Sequence, residues 1–309
     1  MTKTFYFIFF FLGFVGAEGF GNANSDTSCA VEMIWRGENN TFYSGVDAVQ
    51  FDAQAKKRGL HSFADFNQLK VRELLGLEGG YVPKAAIVIG AGFGRDLDFL
   101  SRYTQIPLIH AVEVAPTNYN YLRLKFDSNK DLNTLRRELG LPPQSLIIHG
   151  ENIGMPLCFP TNMPVSLALW MFGGILELSP TEKTRAVRNL AETIVPGGTV
   201  VVDLPLGAVT ATSLVSKKNT VKIKRGGPGG EGTLYVHPVD PLTGEIQHQK
   251  IIDLFTVGNR FAFLPERDRV FYSTDGGDPK ERQLLFFHRR GNTSTGGSSS
   301  LVSPFFQPQ

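Results

Sequence analysis

The strongest constraint on the fold of this chain is a glycine-rich segment that begins at about residue 85. Residues 85–96 read AAIVIGAGFGRD, an apolar run followed by three closely spaced glycines and then by charged residues. An apolar run of this length predicts a buried strand, and the charged residues predict the start of a helix. Glycine is needed in such a turn because a Cβ atom would obstruct the close approach of a ligand to the backbone. A strand, a glycine turn and a helix are the elements with which an open α/β sheet binds a nucleotide.

The spacing of the three glycines distinguishes between two classes of nucleotide ligand. A dinucleotide-binding turn has the pattern Gly-x-Gly-x-x-Gly, which would require a glycine where this chain has Arg95. Here the third glycine is Gly94, and the resulting pattern, Gly-x-Gly-x-Gly, is typical of S-adenosylmethionine enzymes with a Rossmann-like fold. The sequence therefore favours S-adenosylmethionine as the cofactor, and an NAD(P)-dependent oxidoreductase stays as an alternative.

Acidic residues follow or end the next two predicted strands. Glu113 lies near the end of the apolar run 108–114, where a carboxylate can accept hydrogen bonds from both hydroxyl groups of a ribose. Glu151 and Asn152 follow the run 145–149, where they can bond the amino edge of an adenine ring. Because the carboxyl ends of parallel strands meet at one edge of a sheet, these residues and the glycine turn predict an adenosyl site.

Short apolar runs alternate with helical stretches through the middle of the chain. The strands are predicted at residues 85–89, 108–114, 145–149, 165–172 and 199–204. This alternation predicts an α/β fold with a doubly wound, mostly parallel sheet and helices on both faces. One helix is defined at both ends, because Ser179, Pro180 and Glu182 form a capping box with proline at the first helical position, and Pro196 follows its last turn.

The pattern changes after residue 206. The basic stretch 217–225 is followed by four glycines and a proline, which predicts a mobile surface loop, with a flap over a substrate or a contact with an anionic surface as the alternatives. Three further runs, 233–237, 247–256 and 283–289, have turn residues but no helical stretch between them. We expect these runs to add antiparallel strands to the edge of the parallel sheet.

These segments, taken in order along the chain, resemble the class I S-adenosylmethionine-dependent methyltransferases. The likeness covers about residues 84–206 and depends on the segments VIGAGFGRDL, HAVEVAPTN, HGENIGMPLCFP, VSLALWMFGGILELSP and VPGGTVVVDLP. It implies a methyltransferase whose acceptor, a small molecule or a protein, the sequence does not identify. Many family members carry an acid two residues before the first glycine, where this chain has Val88. A noncatalytic relative that only binds the cofactor is therefore a second alternative.

The resemblance also implies which residues form the cofactor site. The glycines line the methionine and ribose end, Glu113 takes the ribose, and Glu151 with Asn152 faces the adenine. The full set of cofactor-binding residues is Gly90, Ala91, Gly92, Gly94, Arg95, Asp96, Glu113, Val114, Glu151, Asn152 and Met171.

The methyl acceptor is expected near the carboxyl ends of the fourth and fifth strands. Trp170, Met171 and Phe172 follow or end the fourth strand, and Asp203 follows the fifth. The aromatic residues have two interpretations, either as a wall against a flat or apolar acceptor or simply as part of the core. No residue is assigned as a catalytic base.

Composition excludes several other classes of function. The 309 residues include 31 Lys and Arg and 29 Asp and Glu, so a net charge of +2 offers no chain-wide basic surface for nucleic acid. Two cysteines exclude a disulfide-dense scaffold. The six histidines have no spacing typical of metal ligands, so we predict no metal site.

The two ends of the chain differ from its body. Residues 1–23 begin with one lysine and an apolar run rich in phenylalanine, which favours a signal peptide or a membrane anchor with contact to a membrane. Residues 24–83 are predicted as a helical lead-in, 84–290 as the methyltransferase-like domain and 291–309 as a disordered tail. A cofactor made in the cytosol favours the cytoplasm instead, so the location stays open between the two.

Overall fold

The structure is a computed structural model that describes most of the central and C-terminal parts of the chain. The described residues are 82–126, 129–151, 153–154, 164–171, 173–206, 213–216, 220–227, 230–236, 238, 240, 245–267, 269–275 and 278–291. The predicted signal segment, nearly all of the helical lead-in and all but the first residue of the tail lie outside these residues, as do Asn152 and Phe172.

An eight-stranded sheet forms the centre of the fold, with the strand order β10-β11-β5-β4-β1-β2-β3 and β9 paired with β11. Its strands are β1 (Ala86–Ile89), β2 (Leu108–Val112), β3 (Ser145–His149), β4 (Val165–Trp170), β5 (Ile194–Pro205), β9 (Phe261–Phe263), β10 (Arg269–Asp275) and β11 (Asp278–Arg289). Strands β1 to β5 are parallel, whereas β11 pairs antiparallel with β5, β9 and β10. The predicted mostly parallel sheet with antiparallel C-terminal strands is confirmed.

Five α-helices connect these strands within the described residues. They are α1 (Arg95–Tyr103), α2 (Pro116–Phe126), α3 (Asn129–Glu138), α4 (Pro180–Thr193) and α5 (His248–Thr256). The capping box of α4 is present as predicted, because the Ser179 hydroxyl accepts from the Glu182 nitrogen and the Glu182 carboxylate accepts from the Ser179 nitrogen. The strand that follows bends at Gly197, whose φ of 87° lies in the left-handed region.

Buried side chains form a core layer on each face of the sheet. One layer joins the sheet to α4 and α5 and contains Ile87, Ile89, Trp170, Val187, Leu190, Val202, Phe255 and Phe287. The other joins the sheet to α1 and α2 and contains Val88, Leu97, Leu100, Leu122, Phe126, Leu169, Val201 and Phe286. Adjacent residues of one strand alternate between the two layers, as expected for strands that are buried on both faces.

The order of the strands locates a ligand site before any side chain is considered. From β1 the chain proceeds through β2 to β3 on one side, and then returns to place β4 and β5 on the other side of β1. The connections therefore diverge at the carboxyl ends of β1 and β4, which is where open α/β sheets bind ligands.

Three sequence predictions for the region after residue 206 are wrong. Residues 247–256 form helix α5 rather than a strand, because Ile251 and Phe255 lie four residues apart and share one buried helix face. Residues 220–225 of the basic stretch, which was predicted as a loop, belong to the strand β7 (Thr220–Gly227), and residues 217–219 lie outside the described residues. The run 233–237 is a strand as predicted and lies mostly in β8 (Gly230–Val236), but the sheet was predicted wrongly, because β8 pairs with β7 and not with the main sheet.

Strands β7 and β8 belong to a second sheet of three antiparallel strands, whose third member is β6 (Ser213–Ser216). Strand β8 lies against the 3₁₀ turn Gly174–Glu177, which follows β4. The second sheet therefore stands beside the carboxyl edge of the main sheet.

Of the helices that the structure describes, none combines the length and the apolar character needed to cross a membrane.

Candidate functional site

The glycine turn between β1 and α1 has the backbone that the sequence predicted for it. Gly90, Gly92 and Gly94 have φ angles of 63°, 54° and 81°, in the left-handed region that side chains disfavour. The carbonyl oxygen of Val112 accepts hydrogen bonds from the nitrogens of Gly90 and Ala91, at 2.9 and 3.2 Å. The turn is thus attached to the end of the neighbouring strand β2.

The three glycines differ in what surrounds their α-carbons. Among the described residues, a Cβ atom added to Gly90 would have no atom within 4 Å, and one added to Gly92 would have only the Gly90 carbonyl oxygen, at 3.8 Å. A Cβ atom added to Gly94 would lie 2.7 Å from Phe126 and 2.9 Å from Leu122. The first two glycines therefore leave open space beside the backbone, whereas Gly94 allows α2 to pack closely against the turn.

The carboxylate of Glu113 links β2, the glycine turn and the start of α2. Its Oε2 atom accepts a hydrogen bond from the Gly92 nitrogen and its Oε1 atom accepts one from the Ala115 nitrogen, both at 2.7 Å. The side chain of Asn118 also bonds this carboxylate. Glu113 was predicted to lie beside the glycines, and the structure brings it there, 4% exposed.

The electrostatic environment of Glu113 favours its neutral form. Burial raises the pKa of Glu113 to about 7, and the charge of Glu177 adds to this rise. The hydrogen bonds from Ala115, Gly92 and Asn118 lower the pKa by a smaller amount. Glu177 was not singled out in the sequence, because it follows a strand by seven residues and only the 3₁₀ turn brings it near β2.

The other predicted residues leave the sheet at this same edge. Because Ile89 pairs with Val112, and Val112 with His149, the residues Gly90, Glu113 and Gly150 follow one another across neighbouring strands. Glu151, half-buried, comes next after β3, and Asn152 lies outside the described residues. The third strand end is therefore in register with the first two, as the adenine prediction requires.

The ends of β4 and β5 complete this edge. Trp170 is 1% exposed and Met171 is 5% exposed, and they belong to the core layers on opposite faces of the sheet. Trp170 is therefore part of the core and does not form a wall against an acceptor. Asp203 is buried, and its carbonyl oxygen accepts from the Gly173 nitrogen at 2.9 Å, which joins the turn after β4 to β5.

The remaining residues singled out in the sequence differ in how deeply they are buried. Arg95 and Val114 are half-buried, and Asp96 is buried in the first turn of α1. Val88, where many relatives of the resembled family carry an acid, is fully buried in the apolar layer beneath α1 and α2. The contact of Arg95, Asp96 and Val114 with a cofactor stays a prediction.

Sequence reasoning missed a pair of histidines below the third strand end. Nδ1 of His110 and Nε2 of His149 are 2.9 Å apart in a hydrogen bond between β2 and β3, and the two rings stack. Burial and the charge of His110 lower the pKa of His149 to about 4, so the ring is neutral at pH 7. The backbone of His149 also accepts from the Glu113 nitrogen at 3.0 Å, so this pair supports the strand ends that form the site.

Sequence reasoning also missed Lys125, which contacts the glycine turn from α2. Its ammonium group donates to the carbonyl oxygen of Phe93 at 3.0 Å and to Asp98 at 2.7 Å. Nothing in the local pattern of α2 signals this contact, because both partners lie about thirty residues earlier in the chain.

Solved structures share the fold of this chain. A S-adenosylmethionine-dependent methyltransferase from Methanosarcina mazei matches 68% of this chain and 93% of its own, with 13% identity and a TM-score of 0.51. The CcbJ methyltransferase from Streptomyces caelestis matches 82% of this chain and 99% of its own, with 15% identity and a TM-score of 0.50. Neither a protein-family model nor a curated protein matches the sequence. The chain has the class I methyltransferase fold, which confirms the fold expected from the resemblance.

Proposed function

We propose that this protein is an S-adenosylmethionine-dependent methyltransferase. The observation that carries the proposal is the open space beside Gly90 and Gly92, next to the buried carboxylate of Glu113. This arrangement stands at the divergence of β1 and β4, in a fold that solved methyltransferases share. A ligand can approach the backbone closely there, because no side chain of the described residues fills the space beside these two glycines.

The residues present fit an adenosyl cofactor. The Glu113 carboxylate accepts one backbone hydrogen bond at each oxygen and a third bond from the Asn118 side chain, which leaves about one acceptor position for a ribose hydroxyl. Glu151, and Asn152 beyond the described residues, follow the strand end that would face the adenine. The methionine end of the cofactor would extend along Gly90 towards Met171 and the end of β4.

The chemistry of such an enzyme is an in-line displacement at a sulfonium methyl group. The bound cofactor supplies an activated methyl group, and the protein mainly aligns the acceptor with it and excludes water. Glu177 follows β4 and Asp203 lies near the end of β5, at the edge where the acceptor would lie. The second sheet, which contacts the Gly174–Glu177 turn through β8, is suited to cover the acceptor; this favours the flap interpretation of the basic stretch over a free loop.

A thermal-shift comparison of two ligands tests the proposal directly. S-adenosylhomocysteine is expected to raise the melting temperature of the full chain, whereas NAD at the same concentration leaves it unchanged. The variant Gly92→Ala is the matched variant, because its added methyl group meets only the Gly90 carbonyl oxygen, at 3.8 Å, among the described residues but occupies the space of the ligand; its φ of 54° costs about 1 kcal/mol. This variant should keep its fold and lose the shift.

Two other results of the thermal-shift comparison would overturn the proposal, and an assay of methyl transfer distinguishes the noncatalytic relative. Stabilisation by NAD alone would favour an oxidoreductase and overturn the proposal. No shift with either ligand would overturn it as well. Binding of S-adenosylhomocysteine without methyl transfer to any acceptor would indicate the noncatalytic relative.

A further inference from the structure

Helix α2 contacts the glycine turn at both ends of the helix. At its start, the Ala115 nitrogen and Asn118 bond the Glu113 carboxylate, which in turn holds the Gly92 nitrogen. At its end, Leu122 and Phe126 lie against the α-carbon of Gly94. The turn is therefore positioned by α2 as much as by the strand that precedes it.

The Lys125 side chain is held in one place by its surroundings. Its ammonium group lies 2.7 Å from the Asp98 carboxylate, in an ion pair whose side chains are 18% and 34% exposed. The same group lies 5.2 Å from the ring centre of Phe126 and 6.0 Å from that of Tyr121. Partial burial and two aromatic faces make this ion pair stronger than a fully exposed one.

The contact from Lys125 reaches the backbone between the second and third glycines. Lys125 donates to the carbonyl oxygen of Phe93, and the nitrogen of the same peptide unit, that of Gly94, donates to the Ala91 carbonyl oxygen at 2.8 Å. The carbonyl oxygen and the nitrogen of this peptide are thus both hydrogen-bonded, on opposite sides of the peptide. Glycines flank Phe93, so this peptide would otherwise rotate with little steric resistance.

We propose that Lys125 is a positioning residue that fixes the orientation of the Phe93–Gly94 peptide and thereby sets the affinity of the turn for its ligand. Val88 is buried in an apolar layer and offers no polar group to orient the turn. Glu113 from β2 and Lys125 from α2 supply that orientation instead, one for each half of the turn. The part of this proposal that concerns affinity rests on the proposed function, whereas the part that concerns the backbone does not.

Hydrogen exchange of the unliganded full chain tests the backbone part. The variant Lys125→Met keeps the apolar stem and removes the ammonium group, and we expect amide exchange within residues 90–98 to accelerate about threefold or more. Arg123→Met is the matched control, because Arg123 is an exposed residue of the same helix that stacks on Tyr119 and does not contact the turn. Exchange in β4 and β5 should stay unchanged in both variants.

Three outcomes of this exchange experiment would overturn the proposal. The first is unchanged exchange at residues 90–98 in Lys125→Met, and the second is equal acceleration in Arg123→Met. The third is acceleration spread evenly over the sheet, which would indicate a loss of global stability. Should Lys125→Met fail to fold, Asp98→Asn removes only the ion-pair partner and is expected to accelerate exchange in the same segment.

Calorimetric titration with S-adenosylhomocysteine tests the affinity part. Lys125→Met should weaken binding about tenfold, as for the loss of a hydrogen bond to a charged group, while Arg123→Met binds like the wild type. Lys125→Arg retains the charge and should recover most of the affinity. If the wild type does not bind, the proposed function fails while the exchange result still decides the backbone part. Equal affinity of Lys125→Met and wild type would overturn the affinity part alone.

Discussion

The carboxylate of Glu113 and the nitrogen of Gly92 lie 2.7 Å apart, in a hydrogen bond that joins the end of β2 to the glycine turn after β1. The carboxylate is buried, and its other oxygen is bonded to the first residues leading into α2. One side chain thus determines the relative position of a strand, a turn and a helix.

Replacing Glu113 tests its part in ligand binding. Glu113→Gln keeps the shape of the side chain, but its NH₂ group cannot accept from a backbone nitrogen or from a ribose hydroxyl. We expect binding of S-adenosylhomocysteine to weaken by about 2 kcal/mol, measured by calorimetry at pH 8. Glu138→Gln, an exposed residue at the end of α3, is the control. An unchanged affinity in Glu113→Gln would remove Glu113 from the site.

The raised pKa of Glu113 predicts a dependence of stability on pH. Between its ordinary value of 4.5 and its folded value of about 7, the folded chain holds a proton that the unfolded chain has lost. The contribution of Glu113 to the free energy of unfolding therefore falls as pH rises through this interval, by about 3 kcal/mol in total. It is constant above the interval.

The side chain of His149 changes the free energy of unfolding in the opposite direction over nearly the same pH interval. Burial lowers the pKa of His149 to about 4, so the unfolded chain holds the extra proton below pH 6.5 and this contribution rises with pH. Urea unfolding of the wild type and Glu113→Gln at pH 5 and pH 8 separates the two effects. The stability of the wild type relative to the variant should fall between these pH values; a constant difference would contradict the raised pKa.

The carboxyl edge of β1, β2 and β3 was predictable from the sequence because its elements are local. The strands β1, β2 and β3 are continuous apolar runs, and in parallel strands the residue after each run falls at one edge. Gly90, Glu113 and Glu151 could therefore be placed together without knowledge of their contacts. The capping box at Ser179 was equally local and was also predicted correctly.

The wrong or missed predictions concern residues whose structure or position depends on contacts with distant parts of the chain. In residues 220–225 the apolar Val221 and Ile223 alternate with lysines, a strand pattern that the charges and the following glycines outweighed in the prediction. The pairing of β8 with β7 depends on register between strands, which alternation alone does not specify. Lys125 and Glu177 reach the site only through the packing of α2 and the turn after β4.

Replacement of Gly94, the third glycine of the turn, by alanine should lower the free energy of unfolding through a packing clash that Gly90 and Gly92 do not share. Gly94→Ala forces a Cβ atom to within 2.7 Å of Phe126 at a φ of 81°, so we expect a loss of about 2–4 kcal/mol of unfolding free energy. Gly258→Ala is the control for backbone strain alone, because Gly258 has a φ of 74° and nothing within 4 Å of the added atom. Its cost should be about 1 kcal/mol.

Urea unfolding of both glycine variants decides whether packing against α2 or backbone strain dominates. Equal losses in Gly94→Ala and Gly258→Ala would show that α2 yields to the added methyl group. Phe126→Leu shortens the contacting side chain. If packing dominates, Gly94→Ala should therefore cost less unfolding free energy in a Phe126→Leu background than in the wild type.

Ligand binding at Glu113 should release a proton. A ribose hydroxyl that donates to the charged carboxylate favours the charged form, which lowers the raised pKa of Glu113 when the cofactor binds. Near pH 6.5 the free protein is then mostly protonated at Glu113 and the complex is not. The enthalpy of S-adenosylhomocysteine binding measured at this pH should vary with the ionisation enthalpy of the buffer, and affinity should rise between pH 6 and pH 8. In Glu113→Gln the buffer dependence should vanish; its persistence there would assign the proton to another group.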